Sequence, residues 1–204
     1  EQIMAFDAAG KGSIIADGFR GNDVVVLAHS AMYVTEPGWD GKSPSKIWHI
    51  SPSGEKKVVD DKGLIFANGL TVSPDQTLLY VADSRSHWVW SYQIQPDGTL
   101  KYKQQYYHLH VPDTAEYSSA DGMRTDRDGR LYVATKMGIQ FCDQAGRVNG
   151  IIPTPNGKCS NLCFGGPEFN VLYATCGEKV YKRKVKVIGA QHFAAPIKPA
   201  NPKL

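Results

Sequence analysis

No run of about eighteen apolar residues occurs in the sequence, so no segment reads as a membrane-spanning helix. The start, Glu1-Gln2-Ile3-Met4, lacks the basic and apolar stretches of a secretory signal, and the compartment, cytoplasmic or exported, stays open. Cysteine is scarce. Cys142, Cys159, Cys163 and Cys176 are four in 204 residues, too few for a disulfide scaffold and without the nearby histidines that a zinc site adds. They read as buried free thiols. The histidines form no ligand-spaced motif, and His108 and His110 alternate as on one face of an outer strand. The absence of a Gly-x-Ser-x-Gly elbow argues against an α/β-hydrolase esterase, and no glycine-rich phosphate loop appears. A net charge of +3 with scattered basic residues gives no case for a nucleic-acid partner. The one dense basic run, Lys179 to Lys186, is broken by Val180, Tyr181 and Val185 as in a strand with a solvated face.

Helical periodicity is also missing, and a longer period takes its place. Segments beginning at Gly21, Ala67, Ala120 and Ser160 share a pattern: a small residue, then Asn22, Asn68, Asp121 or Asn161, then a short strand and a turn. A second strand built on Tyr33, Tyr80, Tyr132 or Tyr173 follows. The starts are 46, 53 and 40 residues apart, against roughly 40–50 for a four-stranded propeller blade. Alternating stretches such as Lys46-Ile-Trp-His-Ile50 and Trp88-Val-Trp-Ser-Tyr-Gln-Ile94 supply strands. Ser51-Pro-Ser-Gly54, Gln95-Pro-Asp-Gly98, Asp126-Arg-Asp-Gly129 and Asp143-Gln-Ala-Gly146 supply hairpin turns. The expectation is an all-β propeller over residues 1–193 and a Pro-rich tail over 194–204, disordered or laid along the surface. Trp39, Trp48, Trp88 and Trp90 suit packing between blades, with Trp39 able to reach the channel mouth.

The first strand of every blade lines the central channel, so a residue type recurring there forms a ring. Asn22, Asn68, Asp121 and Asn161 have two readings. They start strands by bonding neighbouring amides, or they converge as hard oxygen ligands for a cation of the Ca²⁺ or Mg²⁺ type. A ring with one formal charge would leave such a cation a strong Lewis acid.

At these residues the chain resembles the gluconolactonase family, also called the senescence marker protein and luciferin-regenerating enzyme family. The resemblance rests on Ala67-Asn-Gly-Leu-Thr-Val-Ser-Pro-Asp75 running on to Leu79-Tyr-Val-Ala-Asp-Ser84, and on Ala120-Asp-Gly-Met123 with Asp126-Arg-Asp-Gly-Arg-Leu-Tyr-Val-Ala134. Arg20-Gly-Asn-Asp23 and Ile151-Ile-Pro-Thr-Pro155 through Asn161 to Phe164-Gly-Gly166 extend it. It implies a six-bladed propeller, of which this chain would hold about four and a half blades, with one divalent cation in the channel: Ca²⁺ first, with Zn²⁺, Mn²⁺ or Mg²⁺ as alternatives. By position, Asn68 and Asp121 match metal ligands, and Asp121 also the general base. Asn22 matches a residue at the metal and substrate, and Arg20 one that binds substrate hydroxyls. Asn161 carries no catalytic assignment and reads as closing a turn.

One departure is a first-blade Glu ligand with no counterpart here. About one and a half blades are expected before Glu1, and open blade edges are expected to invite pairing with another chain. Another is Glu36, where relatives often carry Asp. The implied activity is metal-dependent hydrolysis of a sugar lactone or related cyclic ester, with a small-molecule lactone as partner. Non-catalytic binding or assembly, or a catalytically incomplete fragment, is the alternative.

Overall fold

The computed structural model describes residues 1–201, and among them every regular element is a strand. A hairpin of β1 (Gln2–Phe6) and β2 (Gly12–Asp17) comes first. Three four-stranded antiparallel blades follow, each meandering in chain order. They are β3 (Val24–Val26) to β6 (Lys56–Asp60) by way of β4 (Met32–Glu36) and β5 (Lys46–Ile50); β7 (Ala67–Val72), β8 (Leu78–Asp83), β9 (Trp88–Ile94) and β10 (Leu100–His108); and β11 (Met123–Thr125), β12 (Leu131–Thr135), β13 (Gly138–Cys142) and β14 (Val148–Ile152). A three-stranded blade, β15 (Asn161–Gly165), β16 (Val171–Cys176) and β17 (Lys179–Lys184), ends the series. The all-β propeller expected from the repeat is what forms. Among the described residues no helix is long and apolar enough to cross a membrane.

The turns behave as their sequences require. Gly54, Gly98, Gly129 and Gly146 all adopt positive φ, from 76° to 89°. Each donates its amide to the carbonyl three residues back, on Ser51, Gln95, Asp126 and Asp143, at 2.9–3.1 Å. A side chain with Cβ is disfavoured in that conformation, so glycine there sets where each hairpin reverses.

Among the described residues the apolar side chains form layers between blades rather than one core. Val25, Leu27, Tyr33 and Ile47 of one blade pack with Leu70, Leu79, Val81 and Tyr92 of the next. Tyr80, Ala82, Val89 and Tyr107 meet Met123, Leu131, Val133 and Cys142 across the following interface. A third layer joins Tyr132, Ala134 and Ile139 to Leu162, Phe164, Leu172 and Cys176. Fully burying one such Leu or Ile contributes roughly 1.5–3 kcal/mol, so each layer outweighs any one hydrogen bond across it. The repeated tyrosines add polar ties: the Tyr33 hydroxyl donates to Gly98 O of the next blade at 3.1 Å, and the Tyr132 hydroxyl to Asp126 Oδ2 at 3.1 Å. Cys142, Cys159 and Cys176 are buried free thiols as expected, while Cys163 is exposed.

After β17 the chain turns under the propeller. Ala190 N bonds Thr125 O and Ile197 N bonds Pro74 O, each at 2.9 Å, so the segment crosses from the last blade to the second. His192 enters the channel base, its Nε2 3.0 Å from Thr125 Oγ1 and 3.5 Å from Thr71 Oγ1. Burial, aided by the charge of Arg124, pushes its pKa down to about 4, so the ring is neutral at pH 7. Residues 194–201 of the Pro-rich tail run along the base, with Ala200 O accepting from Gln144 Nε2 at 3.0 Å. Residues 202–204 lie outside the described residues.

The inner strands approach one another closely. A Cβ on Gly69 would lie 2.0 Å from the backbone oxygen of Asp121, which cannot swing aside as a side chain can. Gly69→Ala is therefore expected to destabilise the fold by about 3 kcal/mol or more, read as a lower urea midpoint with an unchanged slope.

Candidate functional site

Every blade starts its inner strand at the same end of the channel, and Asn68 and Asp121 stand there. Asn68 opens β7, where its Nδ2 donates to Ser84 Oγ at 2.9 Å and its backbone carbonyl accepts from Thr35 Oγ1 at 2.6 Å. Ser84 Oγ in turn donates to Ala120 O, which ties the Asn68 amide to the segment that leads into Asp121. With its nitrogen so committed, Asn68 Oδ1 has a fixed aim. It is buried and has no hydrogen-bond partner among the described residues. An unsatisfied buried acceptor costs roughly 1–3 kcal/mol, an expense usually found where a ligand completes the bonding.

Asp121 is anchored through its backbone: its amide donates to Ala134 O at 2.9 Å, and Gly122 N donates to Ser160 O at 3.0 Å. Burial raises the Asp121 pKa to about 6, with the negative charge of Asp23 adding to the shift and the Gly122 amide opposing it. Asp23 is itself raised, chiefly by burial, while the amides of Leu70 and Val24 and the charge of Arg124 pull the other way. Its Oδ1 accepts from Val24 N at 2.8 Å, and its Oδ2 reaches the neighbouring blade to accept from Leu70 N at 3.1 Å. The channel mouth thus holds the raised carboxyls of Asp23 and Asp121 and the orphaned amide oxygen of Asn68. Such a hard-oxygen set suits a cation of the calcium type.

The strand register revises the ring read from the sequence. The amides of Asn22, Asp121 and Ser160 donate to Thr35 O, Ala134 O and Thr175 O, each two residues past the repeated tyrosine. Asn22 and Asp121 are therefore equivalent, and Ser160 rather than Asn161 is their counterpart in the last blade. Asn161 corresponds to Asp23: its Oδ1 accepts from its own next amide, Leu162 N, at 2.8 Å, as Asp23 Oδ1 does from Val24 N. That bond lies at the first residue of β15 and ties the Asn161 side chain to its own strand. Gly69 and Gly122 hold the same position in the middle blades, and a Cβ on Gly122 would meet Asn161 Oδ1 at 2.0 Å. Asn22 is exposed, and no side-chain bond links it to Asn68 or Asp121 among the described residues. Arg20 is exposed at the rim, its guanidinium 4.5 Å above the Trp39 ring. Glu36 is structural, accepting from Arg20 N at 2.8 Å and from Trp48 Nε1 at 2.9 Å. Asp23 is the residue that sequence reasoning missed. Its signal was present in Arg20-Gly-Asn-Asp23, but linear order does not show which side chain faces Asp121.

Comparison with known proteins bears on the family and the fold. The model of the SMP-30/Gluconolactonase/LRE-like region matches residues 13–178. A gluconolactonase of Zymomonas mobilis is 28% identical over 203 residues, covering 87% of this chain and 55% of that protein. Regucalcin of Macaca fascicularis is 31% identical over 147 residues, covering 70% of this chain and 47% of its own length. The chain thus spans about half the length of these curated relatives. Among solved structures, a gluconolactonase from Xanthomonas campestris superposes with a TM-score of 0.75 at 24% identity, over 92% of this chain and 65% of that one. A regucalcin from Agrobacterium tumefaciens, described as a calcium-binding protein, gives 0.77 at 17% identity over 95% and 72%. These likenesses establish the propeller fold.

The coupling of the two carboxyls is open to direct measurement. In a carbon-detected NMR titration Asp121 is expected to ionise near pH 6, and Asp23→Asn is expected to move that midpoint down. The raised carboxyl costs stability once it ionises in the fold, so the sign on stability is positive for its removal. Asp121→Asn should raise Tm relative to wild type at pH 7, and the difference should vanish below about pH 3, where the carboxyl is protonated folded and unfolded alike.

Proposed function

The chain belongs to the SMP-30/Gluconolactonase/LRE-like family, and we propose that it hydrolyses a sugar lactone or related cyclic ester with the help of one divalent cation. The observation that supports this reading is the orphaned oxygen of Asn68 beside the raised carboxyl of Asp121. Asn68 Oδ1 and the Asp121 carboxylate would hold the cation, with Asn22 reaching in from the exposed mouth. Ca²⁺ is our first assignment, because the donors are hard oxygens and the Agrobacterium relative is described as calcium-binding; Zn²⁺, Mn²⁺ and Mg²⁺ are the other candidates. When bound, such a cation supplies Lewis acidity toward an ester carbonyl.

The chain's own residues supply the rest. Asp121, as the carboxylate, accepts a proton from water as the water oxygen bonds to the lactone carbon. As the tetrahedral adduct collapses, the ring carbon–oxygen bond breaks and Asp121 returns its proton to the departing ring oxygen. The products are a hydroxy acid and the regenerated carboxylate. Arg20 and Asn22 orient the ring through its hydroxyls. Lactones also open unaided in water, so a sparse site suffices.

Calorimetry with Ca²⁺, Mn²⁺ and Zn²⁺ on wild type and Asp121→Asn is the first test, followed by lactone turnover. One-to-one binding that is lost in Asp121→Asn, with turnover reduced about a hundredfold or more, is the expected result. Full turnover by Asp121→Asn would sink the assignment. No cation binding and no turnover by wild type would favour a binding propeller instead.

A further inference from the structure

Around the mouth above Asn68 and Asp121, each of the three four-stranded blades presents one cation over one aromatic ring. Arg20 Cζ lies 4.5 Å from the Trp39 ring centre, Arg85 Cζ 4.9 Å from that of Phe66, and Lys136 Nζ 5.3 Å from that of Tyr117. Trp39 and Phe66 meet edge-on at 5.7 Å, so the first two pairs form one continuous row. All six residues sit in connections at the end where the inner strands begin.

Arg85 is the best placed. Its neighbour Ser84 bonds both the Asn68 amide and the Ala120 carbonyl. Its other neighbour, Ser86, accepts from Ser118 Oγ at 2.8 Å, and Ser119 N donates to Ser84 O at 3.1 Å. The turn that carries Arg85 is therefore bonded directly to the segment that delivers Asp121. Stacking holds a guanidinium by its face and leaves its in-plane N–H groups available. Among the described residues neither the Arg85 nor the Lys136 side chain has a hydrogen bond or an ion pair, and Arg20 has only the exposed Glu1 at 3.8 Å. Asp40, near Trp39, is taken up by its own turn, accepting from the amides of Lys42 and Ser43. Asp61, Asp113 and Glu116 share the connecting loops, but none lies within ion-pair distance of the three cations.

The charge order runs from acidic inside, at Asp23 and Asp121, to basic at the rim. We infer that the mouth selects lactones carrying a second, anionic group, a carboxylate or a phosphate, remote from the ring carbonyl. This rests on the lactonase reading and extends it to the substrate class. The rim guanidiniums bind such a group through charge-assisted hydrogen bonds. Its carbonyl end then points toward Asp121. A neutral sugar lactone gains no such orientation.

The test is kcat/KM on a neutral lactone (glucono-1,5-lactone), a carboxylate lactone (glucaro-1,4-lactone) and a phosphorylated one (6-phosphoglucono-1,5-lactone). At low ionic strength at least one anionic lactone is expected to exceed the neutral one by about tenfold or more, chiefly through KM, with the advantage shrinking as salt is added. Which of the two leads separates carboxylate from phosphate recognition. Arg85→Ala and Arg85→Gln are expected to bring the ratio toward one, while Arg85→Lys keeps part of it. A wild-type ratio near one, or a ratio indifferent to Arg85, overturns the inference while leaving the lactonase reading in place. If no lactone is turned over, the lactonase reading fails and calorimetry with open-chain glucarate and gluconate decides the anion site. Tighter binding of glucarate that Arg85→Ala removes would support it, and equal or no binding would overturn it.

Discussion

The inner strands of adjacent blades lie so close that no side chain fits between them at two points. Gly69 faces the backbone of Asp121 and Gly122 faces the side chain of Asn161. That approach brings a residue at the start of one strand within reach of the start of the next. It also explains why the site can be sparse: Asp23 bonds an amide of the second blade, and Ser84 bridges Asn68 to the third. Packing energy comes from the apolar layers farther out, where Tyr33, Leu70, Tyr107 and Met123 are fully buried. The channel end is free to carry polar strain because those layers hold the blades in place.

Charge is arranged along the channel as a sequence of environments. At the rim, cations stack on aromatic faces in contact with water. Just inside, burial keeps Asp23 and Asp121 from ionising as easily as free carboxyls, and the charge of Asp23 adds to the effect at Asp121. Arg124 is felt by Asp23 on one side and by His192 on the other, lowering the proton affinity of both. At the base His192 stays neutral, so its ring adds no charge to the channel there.

Much of the fold was legible because propeller blades are built from local contacts. The glycines that end Ser51–Gly54, Gln95–Gly98, Asp126–Gly129 and Asp143–Gly146 each force a hairpin reversal, and the tyrosine of each second strand marks the period. Asn68 and Asp121 were legible for the same reason, since each lies at the start of an inner strand eleven or twelve residues before its tyrosine. Asn161 was misaligned by one residue because a repeat matched by residue type does not see backbone pairing. Asp23 and the Arg85–Phe66 pair left no periodic trace. Their significance comes from neighbours on other blades or loops.

The sequence by itself determined the all-β repeat, the turn positions and two of the mouth residues, because hydrogen bonding within a blade depends on residues only a few positions apart. Tertiary structure decided that the charge of Asp23 acts on Asp121, that Asn161 aligns with Asp23 rather than with Asp121, that His192 enters the base and that cations ring the mouth. Those facts depend on how twisted sheets stack around an axis. That stacking places side chains together by register and burial rather than by their separation along the chain.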